Sequence, residues 1–255
     1  MKRPSLLASL AAAALLASPV PASAGEVSPV QAARRPFGIQ PIAPVQISGS
    51  DDRAADFNAN ALPYFRNLVD TKLGESNDFT EREGFVLDPS RLFLRTASEY
   101  PIRVYFIHEG AGYHNCLGLS RALAGEEEMG EPGLIFPDAS FKGPNSQHRD
   151  AQDPLVVGDF VELDHGAPGQ RLDFFCIPYK PWDDSYVATW FNNRALNPDG
   201  LQHVVAFVMP DSPYVMIGFE DLWGGGDLDY NDCLFVIDIG EVNAENLFDE
   251  STLPN

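Results

Sequence analysis

The sequence predicts an all-β protein, an antiparallel β-sandwich of the jelly-roll kind, preceded by a short N-terminal helical segment. From about residue 85 onward, short β-branched and aromatic runs alternate with Gly, Pro, Asn and Asp. No convincing long helical pattern separates these runs. Together they span about 150 residues, which suits one domain of two packed sheets.

The chain begins with the features of an export signal. Lys2 and Arg3 give a positive start, residues 6–16 form a short apolar run, and Ala-Ser-Ala at 22–24 is a small-residue cleavage site. We therefore expect residues 1–24 to be a signal peptide and the mature protein to be secreted, whether extracellular, periplasmic or at the cell surface. The apolar run is too short to span a membrane, and no later segment comes near the required length.

Two segments precede the predicted sandwich. Residues 25–50 are rich in Pro, Ala, Gln and Ser without periodicity, which is typical of a flexible leader. Residues 51–84 are expected to be partly helical, although Pro63 interrupts the pattern. The apolar positions of this short amphipathic helix are Ala55, Phe57, Leu62, Phe65, Leu68 and Val69.

The predicted sandwich domain covers residues 85–241. Its eight candidate strands are residues 91–95, 102–107, 155–161, 171–177, 185–190, 203–208, 214–219 and 233–239. The insert at 122–153 is rich in Gly, Pro and charge, and is expected to be a long surface loop with one short strand at 134–136. Residues 242–255 are expected to form an acidic tail.

Three cysteines, Cys116, Cys176 and Cys233, leave one without a partner, so the chain is not a disulfide scaffold. One bridge between Cys176 and Cys233 is possible because both lie in strand-like runs. Three buried free thiols are the equal alternative.

The charge of the chain favours cations as partners. The formal net charge is −20, and removal of Lys2 and Arg3 with the signal peptide makes it about −22. No Lys or Arg follows Arg194, whereas twelve Asp and Glu do. Nucleic acids and anionic membranes need clustered Lys and Arg, so the composition excludes both as partners.

The connection between candidate strands 214–219 and 233–239 concentrates oxygen ligands. Ca²⁺ takes six to eight hard oxygens, and Gly224, Gly225 and Gly226 allow tight turns that offer carbonyls. Leu228 and Tyr230, between the acidic positions, are expected to point elsewhere. The sequence therefore predicts a calcium site whose ligands are Glu220, Asp221, Asp227, Asp229, Asn231 and Asp232.

Other interpretations of this loop fit less well. The Asp-x-Asp-x-Asn start resembles an EF-hand, but Asp232 stands where that loop needs Gly, and strands rather than helices flank it. Mg²⁺ prefers fewer carboxylates and more waters, and Zn²⁺ prefers Cys and His. A solvated acidic hairpin loop remains the alternative to a cation site.

Two stretches of this loop, Gly-Phe-Glu-Asp-Leu at 218–222 and Gly-Gly-Asp-Leu-Asp-Tyr-Asn-Asp at 225–232, resemble the signature of the bacterial domain-of-unknown-function 4114 family. Weaker similarities lie at residues 87–92, 104–118 and 199–204, so the resemblance spans roughly residues 86–240. It implies a secreted β domain, presumed to bind calcium, often in surface or matrix proteins, and it implies no catalytic activity.

Some polar residues outside the loop are secondary candidates. Glu109 and Asn115 flank a Gly-rich turn and could add oxygens to the ion, although a hydrogen-bonded loop anchor is the favoured interpretation. His203 is expected to be a structural histidine rather than a ligand. No nucleophile elbow is present, and His108 and His114 lack the spacing of a zinc-protease helix, so we expect no enzyme.

Two functions remain for such a protein: a calcium-binding structural or adhesive surface protein, or a calcium-dependent carbohydrate-binding module. The second rests on aromatic residues that cluster in the sequence and could stack on sugar rings. Core packing is their simpler interpretation. They are Tyr179, Trp182, Tyr186, Trp190 and Phe191.

Overall fold

Two antiparallel β-sheets form the protein in the computed structural model, which describes residues 32–73, 86–87, 92–122 and 128–251. The strands are β1 (Val86–Leu87), β2 (Arg103–His108), β3 (His114–Ala122), β4 (Pro132–Phe136), β5 (Phe160–Glu162), β6 (Arg171–Lys180), β7 (Ser185–Tyr186), β8 (Trp190–Phe191), β9 (Val204–Val208), β10 (Tyr214–Phe219) and β11 (Cys233–Asp238). The first sheet has the order β1-β9-β10-β11-β2-β5, and the second has the order β4-β3-β6-β7, with β8 also paired to β6. The predicted all-β sandwich is confirmed.

The main core lies between the two sheets. Alternate residues of each strand point inward, so that Phe106 of β2, Phe174 of β6 and Phe235 of β11 belong to one buried cluster. The rings of Phe174 and Phe235 lie 4.9 Å apart, centroid to centroid, across the interface between the sheets. These contacts hold β6 and β11 together beneath the loop that follows β10.

The N-terminal helical segment covers the outer face of the first sheet. It consists of α1 (Ala54–Asp56), a π-helical turn (Phe57–Ala61) and α2 (Leu62–Lys72). The rings of Phe57 and Tyr105 stack at 4.1 Å, and Phe65 is fully buried. This sheet is therefore buried on both faces.

The predicted helical stripe needs one correction. Ala55 is exposed, and Ala54 is buried in its place. The π turn after Asp56 is wider than an α turn, so a 3.6-residue repeat does not continue through it. Pro63 lies in the first turn of α2, directly after the π-helical turn, and the helical segment continues through it.

The expected flexible leader is ordered where the structure describes it. We call residues 34–50 the N-terminal strap. Within it, Pro41 forms a β-bridge with Leu134 of β4, and Gln46 forms one with Phe160 of β5. Val45 is buried in the main core. The described part of the predicted leader is thus paired with the sandwich, because backbone pairing needs no apolar periodicity in the paired segment.

Several strands differ from the predicted ones. The nine-residue β3 at the middle of the second sheet was not predicted, and the candidate at 185–190 is split into β7 and β8. Of the candidate at 155–161, only the last two residues belong to a strand, the short β5, and Leu155 makes an isolated bridge. In the candidate at 91–95, Phe93 makes only an isolated bridge. The short strand expected at 134–136 exists as β4.

Residues 241–251 form a helix where the sequence predicted the start of an acidic tail. α3 spans Glu241–Ser251, and its Ala244 and Leu247 are buried in the main core. The Oδ1 atom of Asn243 accepts hydrogen bonds from the backbone N–H groups of Arg95 and Thr96, both at 3.0 Å. The prediction of a tail rested on the acidic composition of residues 242–255 and overlooked Ala244 and Leu247, two buried residues about one helical turn apart.

All three cysteines are buried free thiols, which is the second of the two alternatives. Cys116 Sγ donates to the carbonyl oxygen of Pro137 at 3.0 Å, and Cys176 Sγ donates to Asn115 Oδ1 at 3.5 Å. Burial raises the pKa of the Cys176 thiol, and the adjacent Cys233 raises it further.

The predicted signal peptide, residues 1–24, lies outside the described residues.

Within the described residues, no helix is both long and apolar enough to cross a membrane.

Candidate metal site

The six predicted ligands line one cavity of about 550 Å³ at the end of the sandwich. They all come from the connection between β10 and β11. Carboxylate oxygens of Glu220, Asp221 and Asp232 lie within 4.8 Å of one another, and so do those of Glu220, Asp227 and Asp229. Glu220 belongs to both groups and so occupies the centre of the cluster.

Glu220 is a buried carboxylate with an unsatisfied oxygen. Its side chain directly follows β10 and is only 1 % exposed, and its Oε2 atom has no hydrogen-bond partner. Burial raises the pKa of this carboxyl, and the neighbouring carboxylates of Asp232, Asp221 and Asp227 raise it further. An unpaired ionised oxygen at such a position is costly unless a proton or a cation satisfies it.

Asp221 and Asp232 face each other across the start and end of the loop. The backbone N–H of Asp221 donates to Asp232 Oδ2 at 2.8 Å. Asn115 of β3 donates through Nδ2 to Asp221 Oδ2 at 2.8 Å and to the carbonyl oxygen of Asp232 at 3.2 Å. Burial and the Asp232 charge raise the pKa of Asp221, whereas the Asn115 hydrogen bond lowers it. Asn115 is thus a loop anchor, as expected.

Asp229 and Asn231 form the second half of the cluster. Asp229 Oδ1 accepts a hydrogen bond from the Asn231 backbone N–H at 3.1 Å, and Asp229 Oδ2 accepts one from Asn231 Nδ2 at 2.5 Å. Asn231 Nδ2 also donates to the carbonyl oxygen of Leu73, immediately after α2, at 2.9 Å. Asn231 therefore ties the loop to the N-terminal helix. Asp227 is exposed.

The backbone of the loop turns repeatedly through the left-handed region. Gly224, Gly225 and Gly226 have φ angles of 81°, 85° and 50°. Leu228 and Tyr230 also have positive φ angles, of 62° and 57°, and both side chains pack into the cluster beneath the N-terminal helix. The expectation that these two side chains point away from the ligands is confirmed.

A stacked pair of buried rings supports the loop from below. Trp190 and His203 lie parallel, with ring centroids 3.8 Å apart. Trp190 Nε1 donates to the carbonyl oxygen of Asp221 at 2.8 Å, and His203 Nδ1 lies 3.0 Å from the carbonyl oxygen of Glu220. His203 is therefore a structural histidine, as expected. The carbonyl oxygens of Glu220 and Asp221 are therefore both engaged in hydrogen bonds with the sandwich.

Asp199 supports the glycine turn and was not predicted from the sequence. Its Oδ2 atom lies 2.9 Å from His203 Nε2 and accepts a hydrogen bond from the Gly224 backbone N–H at 3.0 Å. The spacing of Asp199 and His203, four residues apart just before β9, was the only available signal of this contact.

Glu109 adds a further carboxyl next to the cluster. The N–H of Ala111 hydrogen-bonds to this carboxyl, but its Oε1 atom is buried without a partner. Burial raises the pKa of Glu109 to about 9, and the charges of Asp221, Asp138 and Asp232 act in the same direction. Glu109 is thus a loop anchor with one oxygen that remains unsatisfied.

Two aromatic side chains also line the cavity. The rings of Tyr113 and Trp182 stack with centroids 5.3 Å apart and planes at 29°. Trp182 is 64 % exposed, and both residues line the cavity. The aromatic cluster expected from the sequence is divided. Trp190 lies beneath the loop, whereas Tyr186 and Phe191 pack on the outer face of the second sheet.

The fold and the site together define a β-sandwich domain with a buried carboxylate loop between two adjacent strands. Residues 167–240, from just before β6 to just after β11, match the family described as domain of unknown function (DUF4114). The predicted resemblance is therefore confirmed for this part of the chain. The weaker similarities at residues 87–92 and 104–118 lie outside the match. Neither a curated protein nor a solved structure matches the chain.

Proposed function

We propose that the protein is a secreted or cell-surface, non-catalytic protein that binds Ca²⁺ in the loop between β10 and β11 and serves a structural or adhesive role. The observation that carries this proposal is the Oε2 atom of Glu220, which is buried without a hydrogen-bond partner beside the carboxylates of Asp221 and Asp232. A cation would satisfy this oxygen and screen the repulsion among the three carboxylates.

The chemistry of the donors favours Ca²⁺. All the candidate donors are hard oxygens, which Ca²⁺ prefers, and the cluster offers more carboxylates than Mg²⁺ ordinarily takes. No Lys or Arg follows Arg194 in the sequence that could neutralise the loop locally. Since the two carboxylate groups share only Glu220, the cluster has positions for one ion or for two bridged by Glu220.

The polar contacts of His114 support a non-catalytic role. Asp138 Oδ2 and Ser140 Oγ each lie 3.0 Å from the same ring atom, Nδ1 of His114. A nucleophile–base–acid relay needs its two outer partners on opposite ring nitrogens. This arrangement orients the histidine but does not activate the serine.

Calorimetry and thermal unfolding test the metal site. We expect millimolar Ca²⁺ to give a binding heat and to raise Tm, because the ion binds the folded state alone. Glu220→Gln should abolish both effects, since it removes the shared ligand charge. Asp211→Asn, at an exposed carboxylate outside the loop, should keep both. Absence of heat and of a Tm shift in the unmodified protein would refute calcium binding.

Export is tested separately. N-terminal sequencing of the protein recovered from outside the cytoplasm should begin near Gly25. Recovery of the chain inside the cytoplasm with residues 1–24 intact would contradict the proposed location.

A further inference from the structure

The cavity beside the carboxylate loop has two chemically different walls. One wall consists of carboxylates, among them Glu220, Asp221 and Asp232, and the other consists of the stacked pair Tyr113 and Trp182. Residues 110–112 also line the cavity. A volume of about 550 Å³ lies within the range of ordinary small-molecule sites.

Trp182 presents an aromatic face that the fold does not use for packing. It lies in the turn between β6 and β7 and is 64 % exposed, and Tyr113 stacks against it. The Tyr113 ring restricts the motion of the Trp182 ring, so the indole is held in place before any ligand binds. The flat apolar face of an indole suits the C–H face of a sugar ring.

The loop supplies its oxygens from one side only. Asn115, Trp190 and His203 hold the loop from the sandwich side, so a cation among the carboxylates faces the cavity with its remaining positions. Ca²⁺ accepts neutral oxygens as readily as carboxylates when it completes its coordination. Adjacent hydroxyl groups of a sugar provide such oxygens.

Charge selects among the ligands that could fill this space. Five carboxylates lie in the loop, so even two divalent cations would leave one negative charge there. An anionic ligand would be repelled by this residual charge and by the acidic chain as a whole. A neutral ligand meets no such penalty.

We propose that this cavity binds a neutral saccharide, whose ring stacks on Trp182 and whose hydroxyl oxygens complete the coordination of Ca²⁺ held by the carboxylate loop. The inference rests on the proposed calcium site and names the ligand of that same site.

An oligosaccharide array tests the inference. The full-length protein, loaded with millimolar Ca²⁺ or with chelator, is applied to neutral and uronic-acid oligosaccharides, and the strongest neutral one is then titrated by calorimetry. We expect binding in Ca²⁺ and none in chelator. Trp182→Ala should weaken binding about tenfold or more, while its Ca²⁺ affinity stays unchanged. Phe37→Ala is the matched control, since Phe37 is 70 % exposed and lines a different cavity.

The outcomes separate the two proposals. Normal Ca²⁺ binding without any saccharide signal overturns the saccharide site and leaves the calcium site standing. Binding that persists in chelator, is unchanged in Trp182→Ala, or is confined to uronic acids overturns the mode of binding proposed. Absence of Ca²⁺ binding would overturn the proposed function, and the saccharide site that depends on the ion would be overturned as well.

Discussion

Gly226 and Glu220 occupy space that no larger pair could share. A Cβ atom on Gly226 would lie 2.0 Å from Glu220 Oε1, whereas one on Gly224 would meet nothing within 4 Å. Both glycines have positive φ angles, so any other residue at either position would introduce backbone strain. Only at Gly226 would it also displace the central carboxylate.

Gly226→Ala and Gly224→Ala therefore form a matched pair. We expect Gly224→Ala to cost about 1–2 kcal/mol of unfolding free energy, from backbone strain alone, and to keep its Ca²⁺ affinity. Gly226→Ala should cost more and should weaken Ca²⁺ binding, because Glu220 must move. Denaturant unfolding and calcium titration measure the two effects. Equal Ca²⁺ affinities in the two variants would show that the position of Glu220 is not critical.

The carboxylates of Glu220 and Asp221 predict how pH affects the metal-free protein. Their pKa values in the folded chain are raised above the ordinary values of about 4. From about pH 4 up to the raised values, the folded state holds protons that the unfolded state has lost. The contribution of these groups to the unfolding free energy therefore decreases as pH rises through that window.

In chelator, we expect the unmodified protein to lose stability between about pH 5 and pH 8 relative to a Glu220→Gln, Asp221→Asn double variant, which lacks both titrations. Ca²⁺ should stabilise the unmodified protein more at the higher pH, because the ion binds the ionised form. Thermal unfolding at both pH values provides the comparison. A difference between the two proteins that does not depend on pH would contradict the expectation.

Sequence reasoning identified the carboxylate cluster because its residues lie within thirteen positions of one loop. It could not find their supports. Trp190 and Asn115 reach the loop from β8 and β3, and Leu73 reaches it from the end of the N-terminal helix. Such contacts depend on how distant elements are arranged in space, which no local pattern encodes.

At the scale of elements, the strands that the sequence predicted best are those rich in β-branched and aromatic residues. β10 has the predicted bounds, and β9 and β11 differ from theirs by one residue at one end. β3 was not predicted, because its sequence His-Asn-Cys-Leu-Gly-Leu-Ser-Arg-Ala contains no β-branched or aromatic residue. Its Gly118 is explained by β6, since a Cβ atom there would lie 2.1 Å from the Phe175 ring.

Packing of the N-terminal helix on the outer face of the first sheet is expected to contribute to the stability of the protein. Phe65 is fully buried, and its neighbour Tyr64 is 37 % exposed. We expect Phe65→Ala to cost about 3–5 kcal/mol of unfolding free energy and Tyr64→Ala much less. Chemical denaturation measures both. Equal costs would show that α2 is only loosely attached to the sheet.

At the scale of the whole molecule, the matched family region is not a self-contained fold. Residues 167–240 include β6 to β11, yet β11 pairs on one side with β2, and β6 pairs along its length with β3. Removal of β2 and β3 would leave two long strand edges without partners and the core open.

We therefore expect a fragment of residues 167–240 to be unfolded or aggregated, whereas the chain from residue 32 onward unfolds cooperatively. Circular dichroism and gel filtration distinguish the two cases. A monomeric fragment with a sharp unfolding transition would show that these six strands can pair without the rest of the sandwich.

The N-terminal strap has a consequence for self-association. A sheet edge with free N–H and C=O groups can recruit a second chain as an extra strand. β4 and β5 are each the outermost strand of a sheet, and the strap forms a bridge to both, through Pro41 to β4 and through Gln46 to β5. The opposite edges are β1 in the first sheet and β7 and β8 in the second, of two residues each, which are too short to act as templates. We therefore expect removal of the strap to leave both edges without a partner and to favour self-association through added strands.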